Sequence, residues 1–561
     1  MNNKLNIYCK NINEYVEIKG GERLADIYAR ISSRIGLNPI CARVNNRTED
    51  LCYPVYSPKQ VEFIDSTTAS GNRVYVRSLC MILYKAVVDV APQMSLRIEH
   101  SVSRGHFCRL HDRTTGQTVA VTADLVAKIK ERMQQIVAAD MAFQRKEKLT
   151  TDVIEIFRRQ GLTDKVTLLE TGHDLYTVYY QLDDICDCYY GPLAPSTGYI
   201  SVFDLLTYKD GMLLLGHKSA DAGEVQTPIE QEKMFGAFTD YLSFNRILGV
   251  SNVGELNRAV ADKMTPSLIN VAEALHDKQL GRISDEIARR RQRGEAKIVL
   301  IAGPSSSGKT TTTKRLAIQL MTNLIVPKMI SLDDYFVNRE DTPRDETGDY
   351  DYESLYSLDL ELFNSDMNKL LAGEEINLPT YSFELGCRVE KHRPLRLGEH
   401  EVLIIEGIHG LNPELTAQIP DKDKFKLYVS ALTTLSIDDH NWIPTTDNRL
   451  LRRIVRDYKY RATSALSTMR RWPSVRRGEE KWIFPFQENA DAMFNSSLLF
   501  ELGVMKSYAE PVLRQVPHDV PEYAEAYRLL KFLSYFEPIP SDQIPSTSLL
   551  REFLGGSSFS Y

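Results

Sequence analysis

The sequence predicts a multidomain protein, with α+β modules in front and an α/β domain behind whose parallel sheet carries a phosphate-binding loop. Three observations predict this. The chain has 561 residues, enough for about two to five domains at roughly 100–200 residues each. The run Gly303-Pro304-Ser305-Ser306-Ser307-Gly308-Lys309-Thr310 fits the G-x-x-x-x-G-K-[ST] pattern, with an apolar run before it and a helix-like run after it. Four short apolar runs, KIVLIAG, PKMISLDDYF, HEVLIIEGIHG and KFKLYVSAL, recur between 297 and 432 with helical or mixed stretches between them. That is the layout of a parallel α/β sheet.

Composition fits a globular chain: 43% hydrophobic, 25% charged and a formal net charge of -7. That balance gives no general support to nucleic-acid binding. The eight cysteines are sparse and irregular, and Cys186-Asp187-Cys188 is too tight for ordinary zinc spacing. No signal-peptide core or membrane-length apolar run is present, so the sequence predicts a reduced, cytoplasmic protein that does not engage a membrane.

Taken in order, residues 1–65 form a small α+β module. EYVEIKGGERLADIYARI reads as strand, glycine turn and an amphipathic helix from near Glu22, and ICARVNN and QVEFID read as strands. A second module spans 70–225, with helices in RSLCMILYKAVVDVA and KLTTDVIEIFRRQG and strands in LYTVYYQL and YISVFDLLTY. Residues 228–292 read as a helical connector ending on an arginine cluster whose residues suit a solvated face better than phosphate. The α/β domain spans 296–510. A helical tail, 511–561, ends in a Ser/Gly-rich, frayed terminus.

The phosphate-binding run carries chemistry. Its glycines let backbone amides curl around phosphate oxygens, and the following helix N-terminus adds free N–H groups and a favourable field. Gly303, Ser305, Ser306, Ser307, Gly308, Lys309, Thr310 and Thr311 are the phosphate-binding candidates. Lys309 reaches the outer phosphates and Thr310 ligates Mg²⁺ of a bound ATP. Asp333 and Asp334 follow a strand, where a carboxylate can accept a hydroxyl proton, or simply cap a turn. Glu406 ends another strand, placed to hold a magnesium-bound water or a ligand hydroxyl. In TTDNRLLRRIVRDYKYRATSALSTMRRW, Arg449, Arg453 and Arg456 fall at i, i+4 and i+7, able to close over a triphosphate or to bind RNA phosphate. Asp438, Asp439, His440 and Asn441, just before that helix, read either as an acceptor contact or as a turn.

Together these stretches resemble the uridine kinase/phosphoribulokinase family of P-loop kinases over about 296–500. LDDYF resembles its base-bearing segment, which implies Asp333 as general base. Asp351 in YDYESLY takes the ribose-gripping position, Tyr381 and Phe383 in TYSF take the aromatic positions, and IEG supplies Glu406. DNRLLRRIVRD resembles the lid helix, giving Arg449, Arg453 and Arg456, with Arg461 after it. The resemblance implies Asp333, Lys309, Arg453 and Arg456 as catalytic residues. It implies Arg449 as a nucleotide contact, and Asp351, Tyr381, Phe383 and Arg461 as substrate contacts. Thr310 and Glu406 become metal ligands. Two positions depart: Gly386 stands where the family has a base-reading histidine, and Thr463 where it has a lid arginine.

The front half resembles other proteins. Residues 1–65 are similar to the TGS domain, through GGERLADIYARI. The following region resembles the second additional domain of threonyl- and alanyl-tRNA synthetases, through CDCYYGPLAPSTGYISVFDLL. Its metal-binding Cys and His positions hold Tyr189 and Leu193, and RSLCMILY lies near where the histidine pair belongs. The resemblance therefore implies a domain that has lost its metal and hydrolytic editing. His100 and His106 are a weaker metal pair. The whole reads as an ATP- and Mg²⁺-dependent kinase acting on a small-molecule hydroxyl, above all a nucleoside. The alternative is an RNA- or ribosome-associated NTPase whose front domains contact RNA. Assembly into a homo-oligomer is left open.

Overall fold

The computed structural model describes residues 4–219, 221–346 and 348–560. In the front module the strand Lys4–Cys9 pairs antiparallel with Glu14–Lys19 and parallel with Gln60–Ile64. Leu24, Ile27 and Ile31, at helical spacing, bury one face of the helix Leu24–Ile35 on that sheet. The helix begins two residues later than Glu22, because Glu22 and Arg23 pair in an extended conformation with Val55 and Pro54.

The second module is organised on α1 (Ala69–Val90), capped by the Thr68 side chain and buried along most of its length. KLTTDVIEIFRRQG supplies the helix Thr150–Gln160 and LYTVYYQL the strand Tyr176–Leu182. YISVFDLLTY is extended only over Asp204–Tyr208. Thr197–Tyr199 forms a 3-10 turn, because Thr197 donates to the Ile136 carbonyl (2.8 Å) and accepts from the Met141 N–H (2.9 Å).

The connector forms three helices, the last being α2 (Thr265–Gln292). Its terminal arginines are committed within the protein: Arg289 and Arg290 pair with Glu286, Arg290 also with Asp491, and Arg291 donates to the Glu399 carbonyl.

Behind it stand β1 (Ile298–Ala302), α3 (Lys309–Thr322), β2 (Val326–Ser331), β3 (Glu401–Glu406), β4 (Lys424–Ser430) and β5 (Ala492–Asn495). All the strand pairings are parallel, in the order β2–β3–β1–β4–β5. The four apolar runs supply β1–β4; the interiors of β1, β3 and β4 are almost wholly buried, whereas the edge strand β2 buries only Ile330. In this order β1 lies between β3 and β4, so a crevice opens at the C-terminal edge beside β1, the place where such sheets bind ligands.

Two tertiary features stand out. The segment Ser436–Trp442 is a hairpin driven into the second module. Lys165 lies 2.7 Å from Asp187 and 2.8 Å from Asp438, and His440 lies 2.7 Å from Asp187, all of them buried. Asp438, His440 and Asn441 are thus an inter-module contact, which removes them as acceptor contacts. The segment leading into the Ser/Gly-rich terminus is packed: Leu549, Phe553 and Leu554 are buried, the first two against α3 and β1. Among the described residues no helix is long and apolar enough to cross a membrane.

Candidate active site

The chain leaves β1 into the loop Gly303–Gly308 and enters α3 at Lys309. Ser306 (φ 58°) and Gly308 (φ 85°) adopt left-handed backbone, which curls the loop. The hydroxyls of Ser306 and Ser307 are buried without a partner among the described residues, as donors awaiting a ligand in a loop of this shape would be. The Lys309 ammonium is parked on the carbonyls of Gly303 (2.9 Å) and Pro304 (3.2 Å). Enclosure lowers its pKa, against the opposing charges of Glu406 and Asp333.

Thr310 Oγ1 donates to Glu406 at 3.1–3.2 Å, so the helix start and the end of β3 bring a hydroxyl and a carboxylate together. Burial pushes the Glu406 carboxyl up to about 7, with Glu552 and Asp333 adding repulsion and Lys309 opposing it. These are oxygen donors of the kind that suits Mg²⁺, and the loop's orphaned hydroxyls suit a nucleotide's phosphates.

Asp333 and Asp334 sit in a 3-10 turn directly after β2. The neighbours part ways: Asp334 pairs with Arg393 (3.1 Å), whereas Asp333 makes no ion pair among the described residues. The Asp333 carboxyl opens into the crevice but is ringed by protein. That enclosure raises its pKa, while Lys309 and Arg461 pull it down.

The basic helix is α4 (Thr445–Tyr460). Arg453 donates to Ser305 Oγ (2.7 Å) and Arg456 holds Asp457 (2.8 Å). Arg449 turns inward, donating to the Ser305 carbonyl (3.0 Å) and pairing with Glu479, which itself accepts the Ser305 N–H (3.2 Å). Arg461, at the end of the helix, is exposed and lies 3.7 Å from Asp457. Tyr381 and Phe383 pack at 5.2 Å, and both contact Phe336. Asp351 accepts the Glu353 N–H (3.2 Å), tying a turn.

Arg452 stands with the other arginines of this helix in the sequence, but the carboxylates Glu353, Glu479 and Glu552 were not read from it. Arg452 is buried on Glu501 (2.7 Å) and behind the loop. Glu479 holds both the loop and Arg449. Glu353 is pushed up to about 7 by enclosure and by Glu479, with Arg453 and Lys309 opposing. Glu552, from the terminal segment, accepts from Thr311 N–H (3.2 Å) and Thr311 Oγ1 (2.6 Å). Glu353, Glu479 and Glu552 come from separate segments and share no motif, so no local signal marked them.

Gly386 has φ 71°, and a Cβ there would meet the Arg339 guanidinium at 2.7 Å. Arg339 therefore occupies the space beside this turn, donating to the Phe383 carbonyl (2.9 Å). His100 stacks on Phe238 at 3.9 Å, and burial holds His100 down at about 3 and His106 at about 4. His100 packs on Phe238 whereas His106 packs on Trp442 with its Nδ1 3.2 Å from the Ser101 hydroxyl, so the two rings have separate partners, and no cluster of three or more metal-ligating side chains occurs among the described residues.

The pH response of this site has a definite sign. Glu353 ionises near 4.5 when unfolded and near 7 when folded. Between these values the folded state holds the extra proton, so the site loses stability as pH rises and stays at its lower level above 7. Glu353→Gln should therefore raise the apo melting temperature at pH 8 and leave it unchanged at pH 4. Equal shifts at both pH values would refute the assignment.

The fold and site define a phosphate-binding-loop kinase, with the loop, two strand-end carboxylates and an arginine helix around one crevice. The chain belongs to the Phosphoribulokinase / Uridine kinase family, whose family model matches residues 298–498. A uridine kinase from Bacillus pumilus is 30% identical over 200 residues, covering 36% of this chain and 86% of that protein. One from Ureaplasma parvum serovar 3 is 25% identical, covering 35% and 85%. The N-terminal region is similar to threonine–tRNA ligases. That of Syntrophotalea carbinolica is 31% identical over 185 residues, 32% of this chain. The chain spans only 28% of that ligase's length.

Proposed function

We propose that the protein transfers the γ-phosphoryl group of ATP to a hydroxyl of a small molecule, a nucleoside being the leading acceptor class. The observation that carries this reading is the Asp333 carboxyl. Among the described residues it is the one of two adjacent aspartates left without an ion pair, and Lys309 lies near enough to lower its pKa. Asp333 orients the acceptor hydroxyl and takes its proton. Lys309 leaves the Gly303 and Pro304 carbonyls to meet developing phosphate charge, and Arg453 and Arg456 neutralise it from α4. Thr310 and Glu406 would hold Mg²⁺, which when bound supplies charge neutralisation of the phosphates. Asp351, Tyr381, Phe383 and Arg461 frame the acceptor side, and Arg449 steadies the loop. With Gly386 and Arg339 where a base-reading side chain would stand, an acceptor other than uridine or cytidine remains within the same mechanism.

The test is ATP turnover with Mg²⁺ against a panel of nucleosides and sugars. Product with a nucleoside supports the full reading. Product only with another alcohol discards the nucleoside. Stimulation by RNA alone, favoured by the ligase-like front, would replace the kinase reading with an RNA-associated NTPase.

Glu552 gives a second expectation. Its carboxylate occupies the Thr311 amide and hydroxyl, donors at a helix N-terminus that suit phosphate. Glu552→Gln removes the competing charge and should tighten MgATP binding about threefold to tenfold, read by calorimetry. Unchanged or weaker binding would show that the terminal segment supports the loop rather than competing for it.

A further inference from the structure

A cavity of about 300 Å³ opens where the front module, α1 and α5 (Tyr523–Ser534) meet, away from the phosphate-binding loop. On its α1 side lies Arg77, only 7% exposed. Its Nε donates to the Pro192 carbonyl (3.3 Å), and no carboxylate pairs with it among the described residues. The guanidinium lies against the Tyr190 ring, 5.6 Å from its centroid, and under Gly191, where a Cβ would come within 2.6 Å. Only a glycine leaves room for it there.

A guanidinium buried without a counter-charge is costly, and proteins ordinarily compensate it. The neighbouring arginines are compensated. Arg73 pairs with Glu525 (2.9 Å), and Arg528 with Asp447 (2.6 Å). Lys531, exposed on the rim, makes no ion pair among the described residues. The cavity thus offers two unmatched cations. Another wall presents Glu49 and Asp50, the latter accepting from the Tyr180 hydroxyl (3.2 Å) and lying 3.6 Å from Arg145. Forked guanidinium N–H groups with an ammonium match a phosphate dianion, and carboxylates accept from hydroxyls.

We propose that this cavity binds a small phosphomonoester bearing hydroxyl groups, with its phosphate on Arg77 and Lys531 and its hydroxyls toward Glu49 and Asp50. The site is separate from the proposed kinase centre and does not depend on that reading. It touches it mechanically. Arg528, in the cavity wall, grips Asp447 through both nitrogens (2.6 and 2.8 Å), and Asp447 lies in the first turn of α4, which carries Arg453 and Arg456. An occupant is therefore placed to bias the arginine helix, as an effector would.

The probe is ribose 5-phosphate, titrated calorimetrically into the full chain without ATP. Saturable one-to-one binding is expected. Lys531→Ala, an exposed change that spares folding, should weaken it about threefold to tenfold, and Arg77→Met by tenfold or more. Lys309→Ala should leave it unchanged. Three results would each overturn the proposal. They are no saturable binding at millimolar probe, binding lost in Lys309→Ala but not in Lys531→Ala, and preference for a free α-amino acid over the phosphomonoester.

Discussion

Asp333→Asn is expected to lower acceptor-dependent turnover by about 10²–10⁴-fold, the usual worth of a positioned general base. The amide keeps the size and the turn after β2 but cannot take a proton. The Michaelis constant for ATP should change little, since Asp333 lies in the turn after β2 and outside the phosphate-binding loop. Asp334→Asn is the internal control. That carboxylate already pairs with Arg393, so its loss should touch stability more than kcat. Steady-state kinetics of both variants with the best acceptor separates the roles. Equal losses in the two, or a loss of ATP binding in Asp333→Asn, would remove Asp333 from the base position. A pH–rate profile adds a check. Enclosure raises the Asp333 pKa, so the acidic limb of wild-type kcat/KM should lie above the ordinary aspartate range and vanish in the variant.

The second large effect is structural. Lys165→Met should destabilise the docking of the second module on the kinase unit by about 3–5 kcal/mol. The substitution leaves Asp187 and Asp438 buried together with their shared cation gone. Denaturant unfolding and amide exchange over residues 436–442 would read the loss. A change below about 1 kcal/mol, the range of an exposed pair, would show that the network is not sealed from water. The same cluster has a pH signature. Asp187 raises the His440 pKa above 6.5, and burial opposes it. That contribution is full below 6.5 and is lost as pH rises through the raised value. Asp187 is held well below the usual carboxylate range by Lys165 and His440, against its burial. Its contribution is present above 3.8 and is lost only in strong acid. Docking should therefore loosen toward alkaline pH and hold through mild acid.

Chain order alone determined the phosphate-binding loop, four of the five strands of the parallel sheet, and the placement of Asp333 and Glu406 at strand ends. The reason is locality. A buried strand, a glycine turn and a helix start are written in consecutive residues, and a parallel sheet places every strand's C-terminal end on the same edge. The fifth strand, Ala492–Asn495, escaped because four residues carry too little periodicity to distinguish it from a loop. Only the tertiary structure decided which of two adjacent aspartates is free, because Arg393 arrives from 59 positions away. Only it turned Arg449 inward onto Glu479 and brought Glu552 across 241 positions onto Thr311. Single carboxylates delivered over such separations have no local pattern, and a terminus rich in serine and glycine gives no sign that Leu549 and Phe553 will be buried. The hairpin at 436–442 makes the same point. Asp438 and His440 read alike as a turn or a contact, until the buried charge of Lys165, contributed by another module, gives them a partner whose separation would leave ions stranded out of water.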